Sequence, residues 1–159
     1  MQAVRATNTA PARPGSPTSR RPVLLATLGV RIDPSAERIA LDSALETGVK
    51  LIVANVVALP PYPMTFVLAR EYATLPHEED LDAVRSTAER AASMGIATEL
   101  LRVSSRRPAS ALLELARDRQ AGLLVFGPKR TVRNWLRFHT AARAVRRGAP
   151  CLVWIAPDG

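Results

Sequence analysis

The sequence predicts a doubly wound α/β fold, a five-stranded parallel sheet in the order 3-2-1-4-5 with helices on both faces. Three observations predict the doubly wound parallel class. Short apolar runs alternate along the chain with segments of helical periodicity, the pattern of βαβ units. The apolar runs are continuous rather than alternating, as in strands covered on both faces. The 159 residues, 47% hydrophobic and 23% charged, suit one domain with its own core. Right-handed crossovers then favour the doubly wound arrangement.

Each element has a local reason. Val23 to Gly29 is an apolar run of strand length. Asp33-Pro34 follows as an N-cap with proline at the first helical position, and Gly48 suits a left-handed helix stop. Ile39, Ala40, Ser43 and Ala44 give that helix a small, largely apolar face. Val49 to Leu59 reads as a second buried strand. Pro60, Pro61 and Pro63 mark a loop, and Thr65 to Tyr72 reads as a short helix. Glu78, Glu79 and Asp80 place negative charge at the positive end of the next helix, whose apolar face is Leu81, Val84, Ala88 and Ala91 and which stops at Gly95. Ile96 to Val103 is a third strand. A helix opened by Pro108 carries Leu112, Leu113 and Ala116 on one face. Leu123 to Phe126, a helix through Ala141, Ala144 and Val145, and a strand from Cys151 to Ile155 complete the series. Leu124, Val125 and Val153 are expected in the core. Trp135 and Phe138 fall in a segment, Thr131 to His139, read as a loop packed on the sheet.

Residues 1–21 read as a disordered basic arm, with Pro11, Pro14, Gly15 and Pro17 breaking any periodicity, and 22–159 as the domain. One cysteine, Cys151, excludes an internal disulfide and reads as a packing thiol at the start of a strand. With two distant histidines, His77 and His139, no metal site is expected. Ser19-Arg20-Arg21 ahead of an apolar run has the look of a twin-arginine export signal. The run is short, and Arg31 and Asp33 stand where a small-residue cleavage site belongs, so a cytoplasmic protein is expected. No run reaches the roughly 20 apolar residues that span a bilayer, and no membrane association is expected.

Charge is unevenly distributed. The total is +8, but residues 102–147 hold twelve Arg or Lys against Glu114 and Asp118, a local +10. Residues 22–101 hold six basic and eleven acidic residues, a local −5. Such asymmetry points to a solvated basic face or to an anionic partner for the C-terminal half.

Strand endings in their order carry a family resemblance. The first strand ends in Leu25-Ala26-Thr27-Leu28-Gly29-Val30. The fourth runs Ala121-Gly122-Leu123-Leu124-Val125-Phe126-Gly127, and the last follows Ala149-Pro150-Cys151-Leu152-Val153. Over residues 22–157 this resembles the universal stress protein family, with its V-A-x-D-G-S start, its G-x-x-G-x9-G-[S/T] phosphate motif and its A-P-C-P-V phrase. The resemblance implies the adenine-nucleotide alpha-hydrolase-like fold with its strand order 3-2-1-4-5, and a homodimer paired through the C-terminal strand.

Departures from the family pattern decide the expected chemistry. The acidic residue that contacts the nucleoside falls on Leu28, and the neighbouring serine on Val30. Gly127 is kept, but the later motif positions fall on Arg130, Thr140 and Ala141. Pro128, Lys129, Arg130 and Arg133 stand where a glycine-rich phosphate loop belongs, and Lys and Arg grip phosphate by charge rather than by backbone amides. Thr140 is expected to cap the last helix. The candidate ligand residues are therefore Thr27, Gly127, Lys129, Arg130, Arg133 and Thr140. No catalytic residues are assigned, because no nucleophile, base and acid stand in a recognisable arrangement. The leading expectation is a non-enzymatic, universal-stress-like protein without ATP or another cofactor, acting in stress response or regulation through association with a protein partner. The alternatives are a sensor of a nucleotide or other anionic ligand, using the basic loop after strand four, and a weak nucleic-acid binder.

Overall fold

A computed structural model describes residues 20–59, 78–131 and 134–157 of the chain. The strands are β1 (Val23–Thr27), β2 (Leu51–Ala58), β3 (Thr98–Ser105), β4 (Leu123–Phe126) and β5 (Leu152–Ile155). The helices are α1 (Pro34–Thr47), α2 (Glu78–Ser93), α3 (Pro108–Asp118) and α4 (Trp135–Gly148). The four strand pairings among the described residues are parallel, as the alternation of elements predicts, and the order is β3-β2-β1-β4-β5, as expected for the resembled fold. The expected helix over Thr65 to Tyr72 lies outside the described residues.

The sheet divides the core in two. Val23 and Leu25 of β1 and Leu51 and Val53 of β2 pack with α1 and α2 on one face. Leu24, Ala26, Ile52, Ala54, Leu124 and Phe126 pack with α3 and α4 on the other. β1 is buried along its whole length because it is central and covered on both sides. Edge strand β3 instead alternates, with Leu101 and Val103 turned to the α3/α4 core and Leu100, Arg102 and Ser104 exposed. It pairs with β2 as far as Ala58↔Ser105, so the strand runs two residues beyond the apolar limit at Val103.

Helix ends follow the local chemistry. Asp33 caps α1 by accepting from Ser35 N at 2.9 Å, and Gly48 closes it at φ 63°, a conformation that suits glycine. α2 begins on Glu78, Glu79 and Asp80. The last helix corrects two expectations. α4 begins at Trp135, so Trp135 and Phe138 are helical, and Phe138 supplies a fully buried ring to the α3/α4 core. Thr140 lies in the second turn and caps nothing; its Oγ1 donates to Leu136 O at 3.0 Å. Two further corrections concern the edges. Val153 is half-buried, because β5 has no neighbour beyond it in the sheet. Arg20 and Arg21, assigned to the arm, are placed against the domain. Arg20 Nη1 donates to Thr47 O at 2.7 Å, and Arg21 lies against Gly122.

Candidate functional site

Strand order reverses between β1 and β4. β1 leads into α1 on one face and β4 leads towards α4 on the other, so the crevice position where such sheets take ligands lies beyond the carboxyl ends of these two strands. Two segments build it, 28–33 after β1 and 127–131 after β4.

The chain's own groups stitch these segments together. Asp33 N donates to Gly127 O at 2.8 Å, and Lys129 N donates to Arg31 O at 2.7 Å. Ile32 and Pro128 form an antiparallel bridge between those bonds. Gly127 N donates to Ala26 O at 3.0 Å. Beneath the first segment, Thr27 is fully buried and its Oγ1 donates to Val30 O at 2.7 Å. Gly29, at φ 68°, donates its N–H to Oδ1 of buried Asn55 at 2.9 Å. Arg31 reaches out to α2, pairing with Glu79 and Asp80 at 3.1 Å each. Several backbone groups of these two segments, the N–H of Gly29, Asp33, Gly127 and Lys129 among them, are thus engaged within the protein.

The candidate residues separate on this geometry. Thr27 and Gly127 come together at the base of the crevice, but both serve the fold. A Cβ on Gly127 would stand 2.0 Å from Cβ of Ala36, so glycine here lets α1 lie against β4. Lys129 is exposed at the rim. Arg130 is half-buried, and its Nη2 donates to Ala156 O at 3.1 Å, tying the loop to the end of β5. Arg133 lies outside the described residues. Thr140 is on the exposed side of α4, apart from the loop. Leu28, on which the resemblance would place the family's acidic residue, is 1% exposed and belongs to the α3/α4 core with Phe126 and Phe138. Its side chain continues the inward alternation of Leu24 and Ala26.

Two residues of this site were not singled out from the sequence, Asn55 and Arg31. Asn55 carried a signal, since it is the one polar residue inside the apolar run from Leu51 to Leu59. Arg31 carried none beyond its charge. Cys151 is half-buried against the α3/α4 core, and burial pushes its thiol pKa up. Among the described residues no group of three or more His, Cys, Asp or Glu is placed to hold a metal ion, and no helix is long and apolar enough to cross a membrane.

Comparison with known proteins agrees with this architecture. No curated protein sequence matches significantly. The chain is similar in structure to universal stress protein UspA from Lactobacillus plantarum, at 17% identity and a TM-score of 0.64, covering 87% of this chain and 100% of that one. A protein of the universal stress protein family from Burkholderia pseudomallei matches at 25% identity and a TM-score of 0.60, covering 91% of this chain and 100% of that one. A universal stress protein solved in complex with cAMP matches at 26% identity and a TM-score of 0.56, covering 87% and 98%. The sequence model of the universal stress protein family matches residues 19–157, and the chain belongs to that family.

Proposed function

We propose that this is a universal stress protein of the non-ATP-binding kind, a non-enzymatic component of a stress response that works by associating with proteins, first with a second copy of itself. One observation carries the reading. The two segments that flank the crevice are bonded to each other through Asp33 N–Gly127 O and Lys129 N–Arg31 O, and Leu28 is turned into the core. A nucleotide entering there meets an engaged backbone and no acidic acceptor at position 28. Polar groups already satisfied within the protein gain little by exchanging partners.

Association has a surface to use. β5 is an edge strand, and its Leu152 is 76% exposed while Trp154 is half-buried. An uncovered edge with apolar side chains invites pairing with another strand. A two-fold axis beside β5 would make that contact self-complementary. Cytoplasmic location belongs to the same proposal.

A second reading has one observation in its favour. The structurally similar universal stress protein solved with cAMP binds a nucleotide, and Lys129 and Arg130 stand at the crevice rim in this chain. Titration of the purified protein with ATP and with pyrophosphate separates the readings. The first expects no preference for the nucleotide, and the second expects a clear one.

A further inference from the structure

The two helical layers carry opposite charge. α1 and α2 hold eight acidic residues and three arginines, and two of those arginines are paired, Arg90 with Glu37 and Arg85 with Asp82. On the other face, α3 and α4 and the segments leading into them present arginine against only Glu114 and Asp118. Among the described residues Arg106, Arg107, Arg143, Arg146 and Arg147 are exposed and make no ion pair.

Folding stability explains only some of these positions. Arg146 and Arg147 lie in the last turn of α4, where a cation complements the helix dipole. Arg106 and Arg107 do the opposite. They stand immediately before α3, at its positive end, and neither α3 nor α4 has an acid in its first turn. α1 and α2 are acidic there, with Glu37 in one and Glu78, Glu79 and Asp80 in the other. Arg143 lies on the outward side of α4, away from either end.

An exposed aromatic ring opens the same helix that carries Arg143, Arg146 and Arg147. Trp135 opens α4 with 56% of its surface exposed, its ring 6.2 Å from that of His139 and tilted by 53°. A large exposed indole on a helix that also presents exposed arginines is a combination that can stack an unpaired base while the backbone phosphates are held by charge. The stripe from position 136 to 147 extends about 16 Å along the helix, the reach of several nucleotides rather than of one anion. A bilayer fits less well. Of the exposed positions 135, 136, 137, 139, 140, 143, 146 and 147, only Trp135 and Leu136 are apolar, both in the first turn, so the rest of the helix has little to sink among acyl chains.

We propose that the outer face of α3 and α4 binds single-stranded nucleic acid, with Arg106, Arg107 and Arg143 holding phosphates and Trp135 stacking a base. The site is distinct from the crevice and stands whether or not the crevice takes a nucleotide.

The test is fluorescence anisotropy of a labelled 20-base oligouridylate with the full chain between 50 and 200 mM salt. Three phosphate contacts give a slope of about −2.1 in log K against log salt, so affinity falls roughly 20-fold across that range. Trp135→Ala is expected to weaken binding about 5- to 150-fold, the worth of one stacked base, and to leave the slope unchanged. Arg106→Glu with Arg107→Glu is expected to weaken binding and flatten the slope. The same pair puts acids at the positive end of α3, so its thermal midpoint should hold or rise, the reverse of what a merely structural role gives. Absence of binding at 50 mM salt overturns the proposal. So does binding indifferent to both variants, which assigns it elsewhere in the chain. Binding to phosphatidylserine vesicles without binding to the oligonucleotide overturns it in favour of a membrane surface.

Discussion

Gly127→Ala is the substitution whose consequence the structure fixes most closely. Family resemblance ties this glycine to phosphate, whereas the packing ties it to Ala36. A Cβ at 127 would lie 2.0 Å from Cβ of Ala36, well inside the roughly 3.5–4.0 Å at which carbon atoms rest. Neither atom can rotate away, since both are fixed to backbone. Relief requires α1 to move off β4, which strains the Asp33 N–Gly127 O bond at 2.8 Å. Overpacking in a core costs about 1–3 kcal/mol, and a contact with no flexible atom falls at the upper end, about 3 kcal/mol. For a chain of this size that lowers the thermal midpoint by roughly 6–12 °C. Ala36→Gly in the same chain removes the opposing methyl and leaves about 1 kcal/mol for a glycine within a helix. The double variant should therefore be more stable than Gly127→Ala alone, with a coupling of roughly 2–3 kcal/mol in a double-mutant cycle. Thermal unfolding followed by circular dichroism reads all four proteins. An unchanged midpoint for Gly127→Ala, or no rescue by Ala36→Gly, would refute the packing role.

Three further outcomes are expected. Glu99 bonds to Lys50, and to Arg119 at 2.6 Å; the Lys50 bond chiefly holds its pKa below the usual carboxylate value, against an opposing push from burial. Because the folded pKa is depressed, the contribution is complete above the unfolded value of about 4.3 and is lost as pH falls through the folded value. The midpoint gap between wild type and Glu99→Gln should thus be open at pH 6–7, amount to less than about 1 kcal/mol for so accessible a site, and close in acid; a gap unchanged at pH 3 contradicts it. Light scattering should give twice the 17.2 kDa chain mass for the wild type and the single mass for Leu152→Arg, and a monomeric wild type at high concentration would remove the edge-strand dimer. Burial raises the Cys151 pKa, so iodoacetamide should alkylate the folded chain at pH 8 more slowly than the urea-unfolded chain, and equal rates would show the thiol to be unshielded.

The sequence was most legible where one force acted alone. Asp33, Pro34 and Gly48 bound α1 because caps and left-handed stops are local matters, and the structure uses all three. The doubly wound class followed from alternation and handedness, which need no side-chain detail, whereas the order 3-2-1-4-5 came with the family resemblance, since handedness admits 2-1-3-4-5 as well. Legibility failed where neighbours decide. Thr140 looked like a cap because spacing from a family motif pointed to it, but α4 begins at Trp135. No motif marks that start, and Asn134 makes no side-chain cap to the helix, accepting instead from Thr131 N at 2.8 Å. Leu28 was read as a lost ligand contact, yet strand alternation already turned it towards Phe126 and Phe138. Gly127 looked like a relic of phosphate binding, because the methyl of Ala36, 91 positions earlier in the chain, is invisible until the helix is docked. Asn55 bonds the backbone of Gly29 across 26 residues, a tertiary pairing that no local pattern announces.

Isothermal titration of the wild-type protein with ATP, GTP and pyrophosphate at physiological salt asks whether the crevice selects a nucleotide. On the proposed reading, Leu28 in the core leaves no acidic acceptor, and Ala141 falls where the family resemblance would place a hydroxyl. Two lost bonds to charged groups, at about 1.5–3 kcal/mol each, weaken binding by roughly 10²–10⁴-fold if they add. Lys129 and Arg130 still attract any polyphosphate, so whatever binding remains should be weak, equal for the three ligands and abolished by added salt. Micromolar binding selective for ATP over GTP and pyrophosphate would contradict the account and return the crevice to nucleotide sensing.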